Sequence, residues 1–351
     1  MKNLKLRLVQ NAGLLIAVGL FVALYGHYSY LHPRGGSAQL LLQNSNESFA
    51  LIMAAIAQTF PVLIGGLDLS VGALMTMVNC LASVVVNGSG LEITMGILLC
   101  ISVGTFCGFL NGAIVVYGRL QPIIVTLATG SVYLGIALFL RPNPGGEVDG
   151  NLSFALTFDL NEIYLSYVAT EIPDWLGWIG WIPTPLLLLL VVILLWLYLR
   201  RTTIGRGLYA VGSSESAAFM SGVKVDRVRI FAFTMAGFFA SLGGLYLALQ
   251  TQTGNADIPQ AGAYTLNSIA AIVIGGTSLY GGIGGAIGSV FGALVLRSVS
   301  FNFRVISEDS FLGFLADPLL QPLFEGCVLL IAVCLGAMWV FRVRNRLHLF
   351  R

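Results

Sequence analysis

Gly65-Gly66-Leu67-Asp68-Leu69-Ser70-Val71-Gly72 is the stretch whose reading decides the fold. Apolar runs flank it on both sides, and it sets a carboxylate among three glycines. An unpaired carboxylate is costly beside hydrocarbon, so Asp68 belongs at a break between two helices rather than inside one. Gly65 and Gly66 then end the first helix, and Asp68 or Ser70 caps the second. There, free backbone amides and the helix dipole favour an oxygen by about 0.5–2 kcal/mol. Ile274 to Gly282 (IGGTSLYGG) echoes the spelling: Gly65, Gly66, Leu69 and Gly72 match Gly275, Gly276, Leu279 and Gly282 at a constant offset of 210 residues. With Gly281 beside Gly282, the second stretch presents an almost side-chain-free surface. Such surfaces let helices pack closely and also let them slide or tilt. The two hairpins therefore read as the joints of a moving membrane protein.

Composition bounds the class. Of 351 residues, 57% are hydrophobic and 10% charged, against about 25% charged in a soluble domain. Spanning a bilayer takes about 20 apolar residues per helix, and ten such segments are expected, at about 11–31, 45–64, 69–87, 91–115, 122–140, 179–199, 229–249, 266–280, 282–303 and 319–341. No ten-residue alternation recurs, which favours helices over a barrel. The run from Asn11 to about Leu31 is longer than a signal-peptide core and reads as a retained first helix. The expectation is an all-α integral membrane protein, a single transmembrane domain over 1–351.

The charges orient it. With the N-terminus inside, 14 of the 18 Lys and Arg fall on the cytoplasmic side; Arg34, Arg141, Arg297 and Arg304 fall on the other. The positive-inside rule selects this orientation, with both termini and both glycine hairpins cytoplasmic. An inner basic loop at 200–228 contains a short helical piece, with Ser213 or Ser214 as N-cap, Glu215 in its first turn and Gly222 as its stop. An outer acidic loop runs from Arg141 to Trp178; its acids read as a solvated face, and Trp175 and Trp178 as an interfacial belt. The five cysteines all lie in apolar runs and read as packed free thiols.

Several chemistries are excluded or disfavoured. No lysine follows a glycine, so a phosphate-binding G-x-x-x-x-G-K-[ST] loop is impossible. There is no HExxH or G-x-S-x-G; no catalytic residue, metal or cofactor is expected, and the basic residues follow topology rather than nucleic acid. Glu325 is the clearest acid inside a span. A proton- or sodium-coupled carrier should show more such acids.

GGLDLSVG resembles the signature of permease subunits of bacterial ATP-binding-cassette importers for ribose, xylose, arabinose and galactose. Three further stretches are similar to that family in the same order: Phe109–Thr129, Gly205–Val223 and Ser268–Ser289, so the resemblance spans about Leu40 to Leu296. It implies a type II importer permease with ten helices in the bacterial inner membrane. It further implies a second permease subunit, identical or paralogous, two ATPase subunits and a periplasmic sugar-binding protein. Gly205–Val223 would be the coupling segment, with Ser213, Ser214, Glu215, Ala218, Phe219, Met220 and Gly222 at the ATPase. Arg34, Arg141, Arg297 and Arg304 would face the binding protein.

The chain departs from the family pattern at Tyr264-Thr265-Leu266-Asn267, where acids are usual, and at Gln58-Thr59-Phe60-Pro61, where a proline interrupts a plain helix. The sugar, and the identity of the two permease copies, stay open. The rivals are a branched-chain amino-acid permease of similar helix plan, and a stand-alone secondary carrier.

Overall fold

Helix starts and stops written into the sequence divide the chain. The computed structural model describes residues 12–168 and 180–305, with residues 323, 326, 327 and 330. Helices α1 (Ala12–Leu31) and α2 (Ala38–Leu63) are separated by a turn from which Ser37 Oγ accepts the Leu40 amide. They are followed by α3 (Val71–Val85) and α4 (Gly90–Tyr117). Helix α4 opens on a capping box in which Ser89 and Glu92 satisfy each other's backbone amides. Helix α5 (Pro122–Leu140) begins with a proline, which has no amide to leave unpaired.

Two short helices, α6 (Gly150–Thr157) and α7 (Leu160–Val168), precede α8 (Thr184–Arg201). Then come α9 (Thr203–Ser213), the six-residue α10 (Glu215–Met220), α11 (Val225–Thr251), α12 (Ile258–Ile274) and α13 (Ala286–Val305). Among the described residues, seven helices are long and apolar enough to cross a membrane: α1, α2, α4, α5, α8, α11 and α13. Helices α3 and α12 are shorter and apolar.

Burial sorts these helices into a core and a shell. Every residue of α2 from Ser48 to Leu63 is buried, so α2 is the central post. Helix α11 packs on α2, α3 and α4, while α12 and α13 pack on each other and on α2. Side chains such as Leu98 and Phe106 of α4, Leu127 of α5 and Val191 of α8 stay exposed, as expected of an apolar shell in lipid. Close approach of α4 and α11 depends on Gly108 and Gly237. A Cβ on either would lie 2.3 Å from a backbone carbonyl of the other helix, the small-residue packing that membrane bundles use.

The ninth and eighth expected segments are redrawn. Instead of meeting near Gly281, α12 ends at Ile274 and α13 starts at Ala286, leaving an eleven-residue turn over 275–285. Gly276, Gly281, Gly282, Gly284 and Gly285 all have positive φ there, so the helix cannot run through. The outer loop is also more built than a solvated acidic face. Asp149 caps α6 by accepting the Leu152 amide at 2.7 Å, and Asp159 accepts from Glu162 at 2.9 Å. All of the tenth segment but residues 323, 326, 327 and 330 lies outside the described residues, as do Glu325, Trp175, Trp178 and the terminal basic residues.

Loops gather at two opposite ends. At one, the turns at 64–70 and 275–285 touch each other and the end of α9. At the other, the Arg141 guanidinium donates to Ser83 Oγ and Ser83 O, both at 2.8 Å, and Gly145 pairs with Gly254.

Candidate coupling site

Both glycine hairpins open with the same helix stop. Gly65 has φ +78°; its amide bonds to Val62 O at 2.9 Å, and the Gly66 amide reaches Pro61 O at 2.9 Å. Gly276 has φ +83°; its amide bonds to Val273 O at 3.0 Å, and the Thr277 amide reaches Ile272 O at 2.8 Å. Each is a Schellman stop with a left-handed glycine, which pays no Cβ penalty there. The conformational repeat therefore has an offset of 211, one more than the spelling. Gly65 matches Gly276 in shape, and Gly275 does other work: a Cβ on it would lie 2.1 Å from Gly288 O on α13.

The first hairpin is capped differently from expectation. Ser70 occupies the N-cap of α3 but makes no side-chain cap bond. Asp68 Oδ1 instead accepts from Ser70 itself, from its amide at 2.8 Å and its hydroxyl at 2.5 Å. Two amides of this turn are met by other helices: Leu69 N donates to Thr126 Oγ1 of α5 at 2.9 Å, and Gly72 N to Thr265 Oγ1 of α12 at 3.0 Å. Thr265 is one of the residues at which the chain departs from the family pattern.

Asp68 is 2% exposed and sits at the end of a polar chain. Tyr133 donates to Asn111 Oδ1 at 3.1 Å, and Asn111 Nδ2 to Ser70 Oγ at 2.9 Å. With its hydroxyl accepting from Asn111, Ser70 donates to the carboxylate, so every donor points toward Asp68. Oriented to satisfy its neighbours, the buried Gln58 amide donates to Asp68 O at 2.9 Å and accepts from Asp68 N at 3.2 Å. Among the described residues no ion pair includes Asp68; the pairs there are Glu215–Arg229 and Glu47–Arg304.

The two hairpins meet each other and the 200–228 loop. The Gly282 amide donates to Leu63 O at 2.9 Å. Gly212, near the end of α9, fills the same junction: a Cβ there would lie 1.8 Å from Leu63 O and 2.5 Å from Gly282 N. Backbone thus touches backbone at three points with no side chain between. Tyr209 of α9 adds a bond from its hydroxyl to Gly284 O at 3.0 Å.

Directly after this junction comes α10. Ser214 is its N-cap, accepting from Ala217 N at 3.4 Å, while Ser213 ends α9 and donates to Tyr209 O. Gly222 at φ +82° stops it, with the Val223 amide bonded to Ala218 O. Ala218 is buried, and Phe219 and Met220 are 69% and 84% exposed. Glu215 pairs with Arg229 of α11 at 2.6 Å, holding α10 against the bundle.

The four outer arginines separate. Arg34 is exposed. Arg141 is spent on Ser83, and Arg304 pairs with Glu47 at 2.6 Å. Arg297 is half-buried, with Nε lacking a hydrogen-bond partner. Sequence reading gave no role to Asn111, Thr126, Tyr133 or Gly212, and noted Gln58 and Thr265 only as departures from the family pattern. A legible signal existed for Asn111, an amide inside an apolar helix.

Curated relatives match most of the chain. It is 32% identical over 286 residues to the ribose import permease protein RbsC of Bacillus subtilis, covering 81% of this chain and 80% of that one. It is 31% identical over 295 residues to the fructose import permease protein FrcC of Rhizobium meliloti (82% and 74%). It is 31% identical over 302 residues to the autoinducer 2 import system permease protein LsrC of Photorhabdus luminescens (84% and 83%). No solved structure matches. A family model described as branched-chain amino acid transport system / permease component matches residues 40–333, and the chain belongs to that family of membrane permeases.

Proposed function

We propose that the chain is the membrane-spanning subunit of an ATP-driven importer for a sugar, most simply a monosaccharide. The names of its relatives support the cargo class, since ribose and fructose import permeases match over most of its length. Two permease chains, identical or paralogous, would form the pathway in a bacterial inner membrane. Separate ATPase subunits would supply the energy, and a periplasmic binding protein would deliver the sugar.

One observation carries the mechanism: Gly212, two residues before the cap of α10, is in backbone contact with both glycine hairpins. Force applied to α10 reaches Leu63 and Gly282 through Gly212 backbone to backbone, with no flexible side chain of Gly212 to absorb it. The ATPase would grip Phe219 and Met220, whose exposure leaves apolar surface for a partner, and its closure would push α9 against Leu63 and Gly282. Helices α2 and α13 would then tilt, opening the pathway alternately to each side. The basic residues Arg119, Arg200, Arg201, Arg206, Lys224, Arg227 and Arg229 cluster in the segments of the hairpin end, which by the positive-inside rule faces the cytoplasm. Arg34 is the outer arginine left free for a binding protein.

Reconstitution of the permease with its ATPase and binding protein in proteoliposomes tests this reading. ATP-dependent uptake of ribose or fructose is expected. Uptake of leucine, with neither sugar competing, would favour the branched-chain amino-acid reading that the family description suggests; uptake that ignores ATP but follows a proton gradient would favour a secondary carrier.

A further inference from the structure

A cavity of about 640 Å³ opens at the hairpin end, between Gly65 and Gly66, the turn from α4 into α5, and the start of α11. Its apolar wall includes Val115 and the fully buried Phe233. Five side chains with polar groups line it: Tyr117, Arg119, Gln121, Asp226 and Arg229. The size is that of a small-molecule site, about 300–1,000 Å³, and an apolar wall with a few convergent polar groups is the usual make-up of one.

Its charges identify the class of ligand. Arg229 is already paired with Glu215, which lies outside the lining, and this leaves Arg119 and Asp226, one lining charge of each sign. What remains is a set of hydrogen-bonding groups of mixed sense: arginines that only donate, an aspartate that only accepts, and a glutamine and a tyrosine that do both. Hydroxyls, which donate and accept at once, suit such a set. Arg119 also holds the left-handed position of the α4 stop at φ 53°, with Gly118 beside it in right-handed conformation. A non-glycine residue there costs about 1–2 kcal/mol, so the turn is held in a shape its own sequence does not favour.

We propose that this cavity binds a small neutral polyhydroxylated molecule, of the class transported, from the cytoplasmic side. Bound there, the ligand bridges the Gly65–Gly66 turn to α11 and resists movement of the first hairpin. Accumulated cargo thereby slows its own import. The proposal rests on the sugar reading of the cargo.

The test uses the full chain carrying Gln121→Cys, in nanodiscs, with a polar thiol reagent and site-resolved detection by peptide mass spectrometry. Ribose and fructose are the probes, and betaine is the osmolyte control. One sugar is expected to slow labelling at position 121, by about fivefold at about four times its dissociation constant. Adding Asp226→Asn is expected to weaken that protection. In the reconstituted importer, the same sugar preloaded inside is expected to lower the initial uptake rate, and Asp226→Asn to relieve the inhibition. Labelling unaffected by either sugar, or equally slowed by betaine, overturns the cavity site; if ATP-driven uptake of a sugar persists, the transport reading survives. If neither sugar is taken up, the cargo reading falls and the site with it.

Discussion

The amide of Gly282 donates to the carbonyl of Leu63 across 2.9 Å, joining two hairpins whose spellings lie 210 residues apart. Gly212 fits into the same junction, and the space for it is set by two backbone atoms rather than by a side chain that could move aside.

Gly212→Ala should therefore uncouple. Its Cβ would press on Leu63 O and Gly282 N, and overpacking of this kind costs about 1–3 kcal/mol. The expected result is a permease that still assembles but loses most sugar uptake, while ATP hydrolysis no longer responds to the loaded binding protein. Gly19→Ala is the control, since nothing lies near its added Cβ. Equal uptake by both variants would remove the junction from the mechanism.

Phe219→Ala with Met220→Ala should separate assembly from folding. Both side chains are mostly exposed, so thermal stability of the isolated permease should change by no more than about 0.5 kcal/mol. Co-purification of the ATPase should fall sharply. Glu215→Ala should act more mildly, because its exposed pair with Arg229 is worth about 0–1 kcal/mol; the exchange Glu215→Arg with Arg229→Glu should restore what the single change loses. An undiminished ATPase complex from the Phe219/Met220 double variant would contradict α10 as the docking helix.

The polar chain ending on Asp68 predicts a ranked series. Asp68→Asn keeps an acceptor oxygen for Ser70 and should fold. Asp68→Leu leaves the buried Ser70 amide and hydroxyl without it, a loss of about 1–3 kcal/mol per unsatisfied group. Asn111→Leu breaks the next link, and the two leucine changes should be non-additive by about 0.5 kcal/mol or more, since they share Ser70. Thermal unfolding of the four variants measures this; additive losses would mean that the bonds act independently.

Arg34 and Arg141 should part company although the positive-inside rule assigns both to the outer side. Arg141→Ala removes two bonds to Ser83, each about 1.5–3 kcal/mol for a charged donor, and should lower stability while leaving binding-protein affinity unchanged. Arg34→Glu should leave stability unchanged and weaken docking, most visibly at low salt where exposed charges are least screened. Titration of the binding protein against nanodisc-held variants tells them apart.

Much of this was legible in one dimension. Nine of the ten expected segments have helical counterparts among the described residues, because apolar run length and glycine punctuation are local properties. The short helix α10 was also legible, down to its stop at Gly222, since caps and stops depend on neighbours a few residues away. The boundary between α12 and α13 was not: the glycines over 275–285 are as compatible with two close-packed helices as with a turn, until a partner selects positive φ.

For Gly65–Gly72 itself, the sequence by itself determined a break between two apolar helices, because a carboxylate and paired glycines disfavour continuing one through hydrocarbon. It also determined family membership, through a spelling that recurs in order with three other stretches. Only the tertiary structure decided what the break does. Asp68 does not cap α3; Thr126 and Thr265, from two other helices, accept the Leu69 and Gly72 amides, while Asp68 anchors Ser70, Asn111 and Tyr133. A spelling match is blind to φ, so the one-residue shift between repeat and shape appears only in the hydrogen bonds of the two helix stops. The contact of Gly212 with Leu63 and Gly282 joins three segments distant along the chain, and the room for it exists only once all three helices are packed.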